Sequence, residues 1–284
     1  MMQSLTDCYT LENGVKIPCL GFGTWKAPDG DVAKASVLAA LECGYRHIDT
    51  ASAYRNEASV GRGIQESGLK REELFITTKL NNPVCGYRES MEAFEESMEK
   101  LQLEYLDLYL IHWPNPKPYR DRWQERNAEN WRAMEDLYKA GRIRAIGISN
   151  FRPHHMDALL KTATVMPMVN QIHLCPGDTP EDVISHCRSR NILLEGYSPL
   201  GHGDIFNVPE LKEIAEKHGK SVAQVCLRWS LQMGFLPLPK SVTPSRIKEN
   251  AQVFDFALSQ EDMDTIAKLD GCAGYGPDPD DRPF

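Results

Sequence analysis

Four titratable side chains lie at or just beyond the ends of short apolar segments. They are Asp49, Tyr54, Lys79 and His112. If those segments are neighbouring parallel strands, their ends meet at one face of the sheet and bring the four groups together. A carboxylate, a phenol, an ammonium and an imidazole are suited to general acid–base chemistry. Each residue alone is more often a helix cap, a solvated charge or a structural histidine, so the hypothesis of a site rests on their joint occurrence.

The segments that must position these groups alternate between two hydrophobic patterns. In residues 88–101, Met91, Phe94, Met98 and Leu101 recur three or four positions apart, which predicts an amphipathic helix. Eight shorter segments are almost continuously apolar, as is typical of strands buried on both faces. They are residues 18–22, 47–48, 74–78, 106–111, 143–148, 168–172, 192–194 and 235–238. Their average spacing of about 35 residues predicts an α/β fold of the (β/α)8 TIM barrel type.

Both ends of the chain depart from this alternation. Residues 9–11 and 15–17 flank the turn Asn13-Gly14, which predicts an N-terminal β-hairpin that could close the N-terminal end of the barrel. The tail after Asp270 is rich in Gly, Pro and Asp, so we expect it to be irregular and either disordered or draped over the barrel. No linker divides the chain, and we predict one domain over residues 1–284.

The rival fold for such a chain is a doubly wound sheet that holds a dinucleotide on a glycine-rich turn. The segment 21–26, GFGTWK, lacks the third glycine of G-x-G-x-x-G, while Gly61 and Gly63 lie in a helix-like segment. A nucleotide bound by this chain is therefore not held by a Rossmann loop.

The composition argues against several classes of protein. Of 284 residues, 42% are hydrophobic and 25% are charged, which is ordinary for a folded chain. The formal net charge of −8 argues against a general nucleic-acid partner, because phosphate binding needs a basic face. The eight cysteines form no C-x-x-C pair and are expected to be free thiols of a reducing compartment. Without a signal-like start or about 18 consecutive apolar residues, we expect a cytoplasmic protein with no membrane partner, and a monomer.

Six segments carry motifs in a recognisable order. They are GFGTW at 21–25, HIDTA with YRNE at 47–57, TTK at 77–79, LDLYLIHWP at 106–114, IGISNF at 146–151 and PKSV at 239–242. Through these motifs the chain closely resembles the aldo-keto reductases over nearly its whole length. The resemblance implies a TIM barrel that reduces aldehydes or ketones, such as small dicarbonyls and keto-sugars, to alcohols with NADPH.

The resemblance assigns roles to the four titratable residues. Reduction of a carbonyl group needs a hydride on carbon and a proton on oxygen. Tyr54 matches the proton donor of the family, and Lys79 is expected to lower the pKa of its phenol. Asp49 would keep Lys79 charged and directed at Tyr54, while His112 would hydrogen-bond the carbonyl oxygen.

The resemblance also implies the contacts of the cofactor. The residues that would hold and stack on the nicotinamide are Ser149, Asn150, Gln171 and Tyr197. The residues that would clamp the adenosine 2′-phosphate, and so favour NADPH over NADH, are Lys240, Ser241 and Arg246. The other implied cofactor contacts are Ser198, Leu200, Val242, Glu249 and Asn250.

The substrate side is less determined. Trp25 and Trp113 match aromatic walls beside the carbonyl, so they join Tyr54 and His112 as predicted substrate contacts in a compact, partly apolar pocket. Residues 115–130 form either a lid or a solvated loop. The short segment 200–208 and the ending 276–280 resemble the smaller bacterial diketogluconate-reductase and prostaglandin-F-synthase-like branch. Related sequences often carry an acidic or aromatic residue at the position of His173. We interpret the histidine of this chain as a change of packing.

Two other functions compete with carbonyl reduction. A barrel hydrolase or isomerase would use a metal or paired carboxylates, but the sequence has no H-x-H after the first strand and we predict no metal. The second competing function is that of a non-catalytic barrel that binds NADPH and acts as a sensor for a partner. It would bind NADPH tightly without turnover, although all four catalytic positions are intact.

Overall fold

The computed structural model describes residues 2–283, in which eight strands form a barrel and two more form a hairpin. The hairpin strands are β1 (Cys8–Thr10) and β2 (Lys16–Pro18). The barrel strands are β3 (Gly21–Gly23), β4 (His47–Asp49), β5 (Phe75–Leu80), β6 (Leu106–Ile111), β7 (Ile143–Ser149), β8 (Val169–His173), β9 (Leu193–Tyr197) and β10 (Leu236–Leu238). The helices are α1 (Asp31–Glu42), α2 (Glu57–Glu66), α3 (Tyr87–Leu101), α4 (Trp123–Lys139), α5 (Pro153–Leu159), α6 (Glu181–Arg188), α7 (Pro209–His218), α8 (Val222–Gln232), α9 (Pro244–Ala251) and α10 (Gln260–Ala267).

The barrel strands are all parallel and pair in chain order from β3 to β10. The barrel closes where β3 meets the end of β10, because the Gly23 amide donates to the Pro239 carbonyl at 3.0 Å. Closure needs a glycine at position 21, since a Cβ there would lie 2.5 Å from Leu238 and 2.6 Å from the His47 ring. The predicted TIM barrel is thus confirmed.

Side chains of each strand alternate between two cores. In β6, Leu108 and Leu110 point into the barrel, while Tyr109 and Ile111 pack against the helices outside. The interior core also includes Ile17 of the hairpin, so β1 and β2 cover the N-terminal end of the barrel as predicted. The opposite end stays open and carries the polar residues.

The predicted strands 74–78 and 192–194 ended too early. β5 continues to Leu80 and β9 to Tyr197, so Lys79 and Glu195 lie within strands and are completely buried. In these two segments the apolar pattern was ended just before a charged residue, whereas the barrel interior accepts charged residues that pair with one another. This difference decides how the site is built.

The tail is draped over the barrel. Residues 271–283 form no helix or strand, but Ala273 is buried and Asp280 hydrogen-bonds to Asn115 and His155 at 2.8 and 2.9 Å. All eight cysteines are free thiols. Within residues 2–283 no helix has the length and apolar character needed to cross a membrane. The single domain stays a prediction, and its end residues Met1 and Phe284 lie outside the described part.

Candidate active site

A cavity of about 1500 Å³ opens at the carboxyl ends of the barrel strands. The predicted site residues that line it are Trp25, Asp49, Tyr54, His112, Trp113, Ser149, Asn150, Gln171, Tyr197, Ser198, Leu200, Lys240, Ser241, Arg246, Glu249 and Asn250. Lys79 is buried in the strand below and does not line the cavity. Val242 does not line it either and is 41% exposed on the loop before α9.

Lys79 is the centre of a hydrogen-bonded group at the floor of the cavity. Its Nζ donates to the two carboxylate oxygens of Asp49 at 2.6 and 2.8 Å and to the Thr50 carbonyl at 2.9 Å. The same Nζ lies 3.4 Å from the hydroxyl of Tyr54. The structure therefore brings together the three residues that the sequence separates by up to thirty positions.

The neighbouring strands and one loop fix this group. Asp49 is the last residue of β4 and Lys79 lies on the adjacent β5, whose register pairs Asp49 with Thr77. Tyr54 ends a 3-10 helix, Ser52–Tyr54, which is tied to β5 by the bond from Ser52 Oγ to the Lys79 carbonyl at 3.0 Å. The loop is thus anchored to the strand that carries the ammonium.

The buried side chain of Asn56 holds the other end of that loop. It accepts from Thr50 Oγ1 and donates to the carbonyls of Thr24 and Ala27, each at 3.0 Å. These bonds join the loop after β3 to the loop after β4. Asn56 is therefore a supporting residue that our sequence analysis did not single out, although it lies within the YRNE motif.

The pKa of Tyr54 does not move in the expected direction. Burial raises the pKa of the phenol above its ordinary value and outweighs the lowering effect of Lys79. Lys79 does lower the pKa of Tyr54, as expected. The expectation of a lowered net pKa for Tyr54 is wrong, because burial has the larger effect. Burial also disfavours the ammonium of Lys79, but Asp49 and then Tyr54 raise its pKa above the ordinary value. At neutral pH an ammonium therefore lies beside a protonated phenol.

His112 follows β6 and lies across the cavity floor from Tyr54, with the two rings 5.7 Å apart and edge-on. Burial, and then the charge of Lys79, lower the pKa of His112 to about 3. The imidazole is thus neutral at physiological pH and carries one N–H. Its Nδ1 has no hydrogen-bond partner among residues 2–283. A neutral ring of this kind can donate one hydrogen bond to a ligand oxygen.

Beside this floor, residues at the ends of β7, β8 and β9 form a hydrogen-bonded polar row. Ser149 Oγ donates to the Gln171 carbonyl at 2.8 Å, and Asn150 Nδ2 lies 3.1 Å from Ser149 Oγ. The Tyr197 hydroxyl donates to Asn150 Oδ1 at 2.8 Å. Asn150 has a positive φ of 63°, a conformation that asparagine tolerates better than most residues and that turns its side chain into the row. The row offers amide and hydroxyl groups to a flat polar ligand.

The far end of the cavity is basic. Lys240, Ser241 and Arg246 line it where the chain leaves β10 and enters α9. Burial, and then a nearby Lys26, lower the pKa of Lys240, so two ammonium groups approach each other here. An anion between them would relieve this repulsion. Glu249 and Asn250 line the same end from α9.

Comparison with known proteins decides the family. Residues 19–271 match the aldo/keto reductase family. A glyoxal reductase from Bacillus subtilis is 51% identical over 284 residues, which cover the whole of both chains. The methylglyoxal reductase DkgA of Salmonella typhimurium is 43% identical over 272 residues, 95% of this chain and 96% of that protein. The solved Bombyx mori aldo-keto reductase, in complex with NADP, has a TM-score of 0.85 at 35% identity, covering 96% of this chain and 94% of that one.

This chain is an aldo-keto reductase. The resemblance found in its sequence is thereby confirmed.

Two residues of this aldo-keto reductase reach the site without having been predicted. Lys26 lines the basic end and lies over the Trp25 ring, with its Nζ 4.3 Å from the centroid. Glu195 lies beneath the polar row and accepts from Gln171 Nε2 at 2.8 Å. The sequence offered two signals for them. One is a lysine directly after Trp25, and the other is an acidic residue two positions before Tyr197, which places it on the same strand face.

Both tryptophans that were predicted as substrate contacts line the cavity. Trp113 is nearly buried, whereas Trp25 is 42% exposed and meets the ring of His202 at 5.6 Å. Tyr275 and Arg282 of the tail also line the cavity. His173 is held by Asp178, its Nδ1 lying 2.5 Å from the carboxylate, and does not line the cavity, which agrees with a packing role.

The segment 115–130 is neither wholly a lid nor a solvated loop. Its last eight residues are the start of α4, where the buried Arg126 donates to the carbonyls of Val84 and Asn82 at 2.9 and 3.0 Å. Only the preceding part, with Pro116 and Pro118 at the cavity, is irregular or 3-10 helical. Movement of that part as a lid stays a prediction.

Within residues 2–283, one group of histidine and carboxylate side chains is close enough to hold a metal, and it lies outside the cavity. It consists of His154, His155 and Asp280. His155 Nδ1 accepts the Arg152 amide at 3.2 Å, so its proton is on Nε2, which donates to Asp280 at 2.9 Å. These contacts tie the tail to α5.

Proposed function

We propose that this protein reduces small aldehydes, dicarbonyls and keto-sugars to alcohols with NADPH, and that Tyr54 gives the proton to the substrate oxygen. The observation that carries the proposal is the contact of Lys79 with both Asp49 and Tyr54 at the floor of a cavity large enough for a cofactor and a substrate. The match to reductases of glyoxal and methylglyoxal supports the substrate class.

Tyr54 acts as general acid on the carbonyl oxygen. As the oxygen takes the proton, the negative charge that appears on the phenol lies beside the ammonium of Lys79, which stabilises it. Asp49 keeps Lys79 ionised and fixes its direction. Neutral His112 donates a hydrogen bond to the same oxygen, which orients the substrate and stabilises developing charge before the proton arrives.

The residues around the cavity fit NADPH. The polar row of Ser149, Asn150 and Gln171 suits a carboxamide, and the basic end suits a phosphate on the adenosine. When bound, NADPH supplies the hydride that the substrate carbon receives. Lys240, Ser241 and Arg246 would hold the 2′-phosphate and favour NADPH over NADH.

An absorbance assay tests the reaction. NADPH consumption is followed with a panel of glyoxal, methylglyoxal, simple aldehydes and keto-sugars, and NADH replaces NADPH in a parallel series. We expect consumption with the dicarbonyls and a lower KM for NADPH than for NADH. Tight binding of NADPH without turnover on any carbonyl would instead favour the non-catalytic sensor.

A further inference from the structure

A second carboxyl group lies inside the barrel, below the candidate active site. Glu195, in the middle of β9, is completely buried and is the register partner of Gln171 on β8. Gln171 Nε2 lies 2.8 Å from Glu195 Oε2 and 2.8 Å from Asp49 Oδ2. One amide group thus links Glu195 to the carboxylate that pairs with Lys79.

The surroundings of Glu195 contain too little positive charge for two carboxylates. The titratable groups that face it are Asp49 and His47 from β4 and Lys79 from β5. His47 Nε2 is 4.0 Å from Glu195 Oε1, but burial and then Lys79 lower the pKa of His47 to about 3, so that ring is neutral. The one remaining cation of this set, Lys79, is in direct contact with Asp49.

Glu195 is therefore the carboxyl group that keeps its proton. Burial, and then the charge of Asp49, raise the pKa of Glu195 to about 8, although Gln171 and Lys79 oppose the shift. Its Oε1 has no hydrogen-bond partner among residues 2–283. Burying an unpaired charge in such a place costs more than burying a neutral acid.

We propose that Glu195 is a positioning residue for carbonyl reduction, held as a neutral acid that anchors Gln171 and leaves the ammonium of Lys79 to Tyr54. This proposal rests on the proposed role of Tyr54 as proton donor. It assigns no direct contact with substrate to Glu195, which acts through Gln171 and Lys79.

Anchoring works through the orientation of the Gln171 amide. Its NH2 group lies between the carboxyl groups of Asp49 and Glu195, which accept its two protons. The amide oxygen is then the end that Gln171 can present to the cavity it lines, as an acceptor for the carboxamide of a nicotinamide. Without Glu195 the amide loses one of the two acceptors that fix this orientation.

Ionisation of Glu195 acts through charge. A carboxylate at this position is felt by Lys79, whose pKa it raises. A second negative charge near the ammonium competes with the phenolate that forms when Tyr54 gives up its proton. Tyr54 becomes a weaker acid, so reduction slows as the pH rises through the range in which Glu195 ionises.

Single-turnover rates between pH 6 and 9.5, with NADPH and the fastest carbonyl of the panel, test the charge effect. Single turnover is needed because product release limits kcat in many enzymes. We expect the wild-type rate to fall above about pH 8, and Glu195→Gln, which cannot ionise, to lose this fall or shift it by more than one pH unit. Glu57→Gln is the matched control, because Glu57 is also buried with a raised pKa but bonds to Thr78 and does not line the cavity.

Glu195→Leu tests the anchoring effect. It removes the acceptor of Gln171 and should lower the single-turnover rate about tenfold or more and weaken NADPH binding, whereas Glu195→Gln retains an acceptor oxygen and should restore most of both. Circular dichroism melting of each variant shows that it is folded. If the leucine variant does not fold, the pH profile of the glutamine variant decides alone.

The proposal fails if Glu195→Gln keeps the wild-type pH profile, if Glu57→Gln shifts the profile equally, or if a folded Glu195→Leu is as active as wild type. These failures differ from failure of the proposed function. A Tyr54→Phe variant with normal turnover would remove the proton donor itself, whereas an inactive Tyr54→Phe with an unchanged Glu195→Gln profile removes only the role of Glu195.

Discussion

The ammonium of Lys79 lies 3.4 Å from the hydroxyl of Tyr54 and donates two shorter hydrogen bonds to the carboxylate of Asp49. The contact joins a residue inside a barrel strand to a residue in the loop after the preceding strand. Burial makes the phenol a weaker acid and Lys79 makes it a stronger one. Lys79 is therefore the group that favours release of the Tyr54 proton, against the effect of burial.

Tyr54→Phe should lower the single-turnover rate of reduction by about 10²–10⁴-fold, the usual contribution of a general acid. NADPH binding, followed by protein fluorescence, should change less than about twofold because only a hydroxyl is lost. Tyr87→Phe is the matched control, since the Tyr87 hydroxyl is bound to Asp136 on the outer surface. Near-normal turnover in Tyr54→Phe would exclude this residue as proton donor.

Lys79→Met should abolish measurable turnover and also destabilise the protein, because Asp49 remains buried without its cation. Breaking a buried pair from one side costs about 3–5 kcal/mol. The double variant Lys79→Met with Asp49→Asn removes both charges, so urea denaturation should show stability regained while turnover stays absent. If the double variant is no more stable than Lys79→Met, the instability of Lys79→Met does not come from the unpaired buried charge of Asp49.

Much of the site could be predicted because polar residues follow apolar strands at the same end of a barrel. Asp49, His112, Ser149 and Tyr197 were found in this way, and all four line the cavity. The hydrophobic pattern failed where a strand carries a charge inside the barrel. It ended the strand before Glu195, because a buried glutamate is accepted only with partners on other strands, and those partners are distant in the sequence.

The start of α4 was missed for a related reason. Its buried face includes Arg126, Asn127 and Asn130, which bind backbone carbonyls of the loops after β5 and after β6 instead of apolar side chains. Apolar periodicity cannot reveal a helix whose buried face is polar. The net pKa shift of Tyr54 was likewise hidden, since burial is a property of the folded chain.

Arg246→Ala should weaken NADPH binding about tenfold or more, the usual loss for a charge-assisted hydrogen bond, and leave NADH binding nearly unchanged. The reason is that only NADPH carries the 2′-phosphate. Lys248→Ala is the control, because Lys248 lies on the same helix and is exposed but does not line the cavity. Titration of both cofactors against both variants measures the effect, and equal losses for NADPH and NADH in Arg246→Ala would contradict a 2′-phosphate contact.

Glu195→Gln should stabilise the protein more at pH 8 than at pH 5. In the unfolded chain Glu195 ionises near its ordinary pKa of 4.5, whereas in the folded protein its pKa is about 8. Between these values the unfolded state binds fewer protons than the folded state, so the contribution of Glu195 to the free energy of unfolding falls as the pH rises. Glutamine has no such dependence. The difference in Tm between the variant and wild type should therefore grow from pH 5 to pH 8 and level off above, and a difference that is constant with pH would show that Glu195 is already ionised in the folded protein at pH 5.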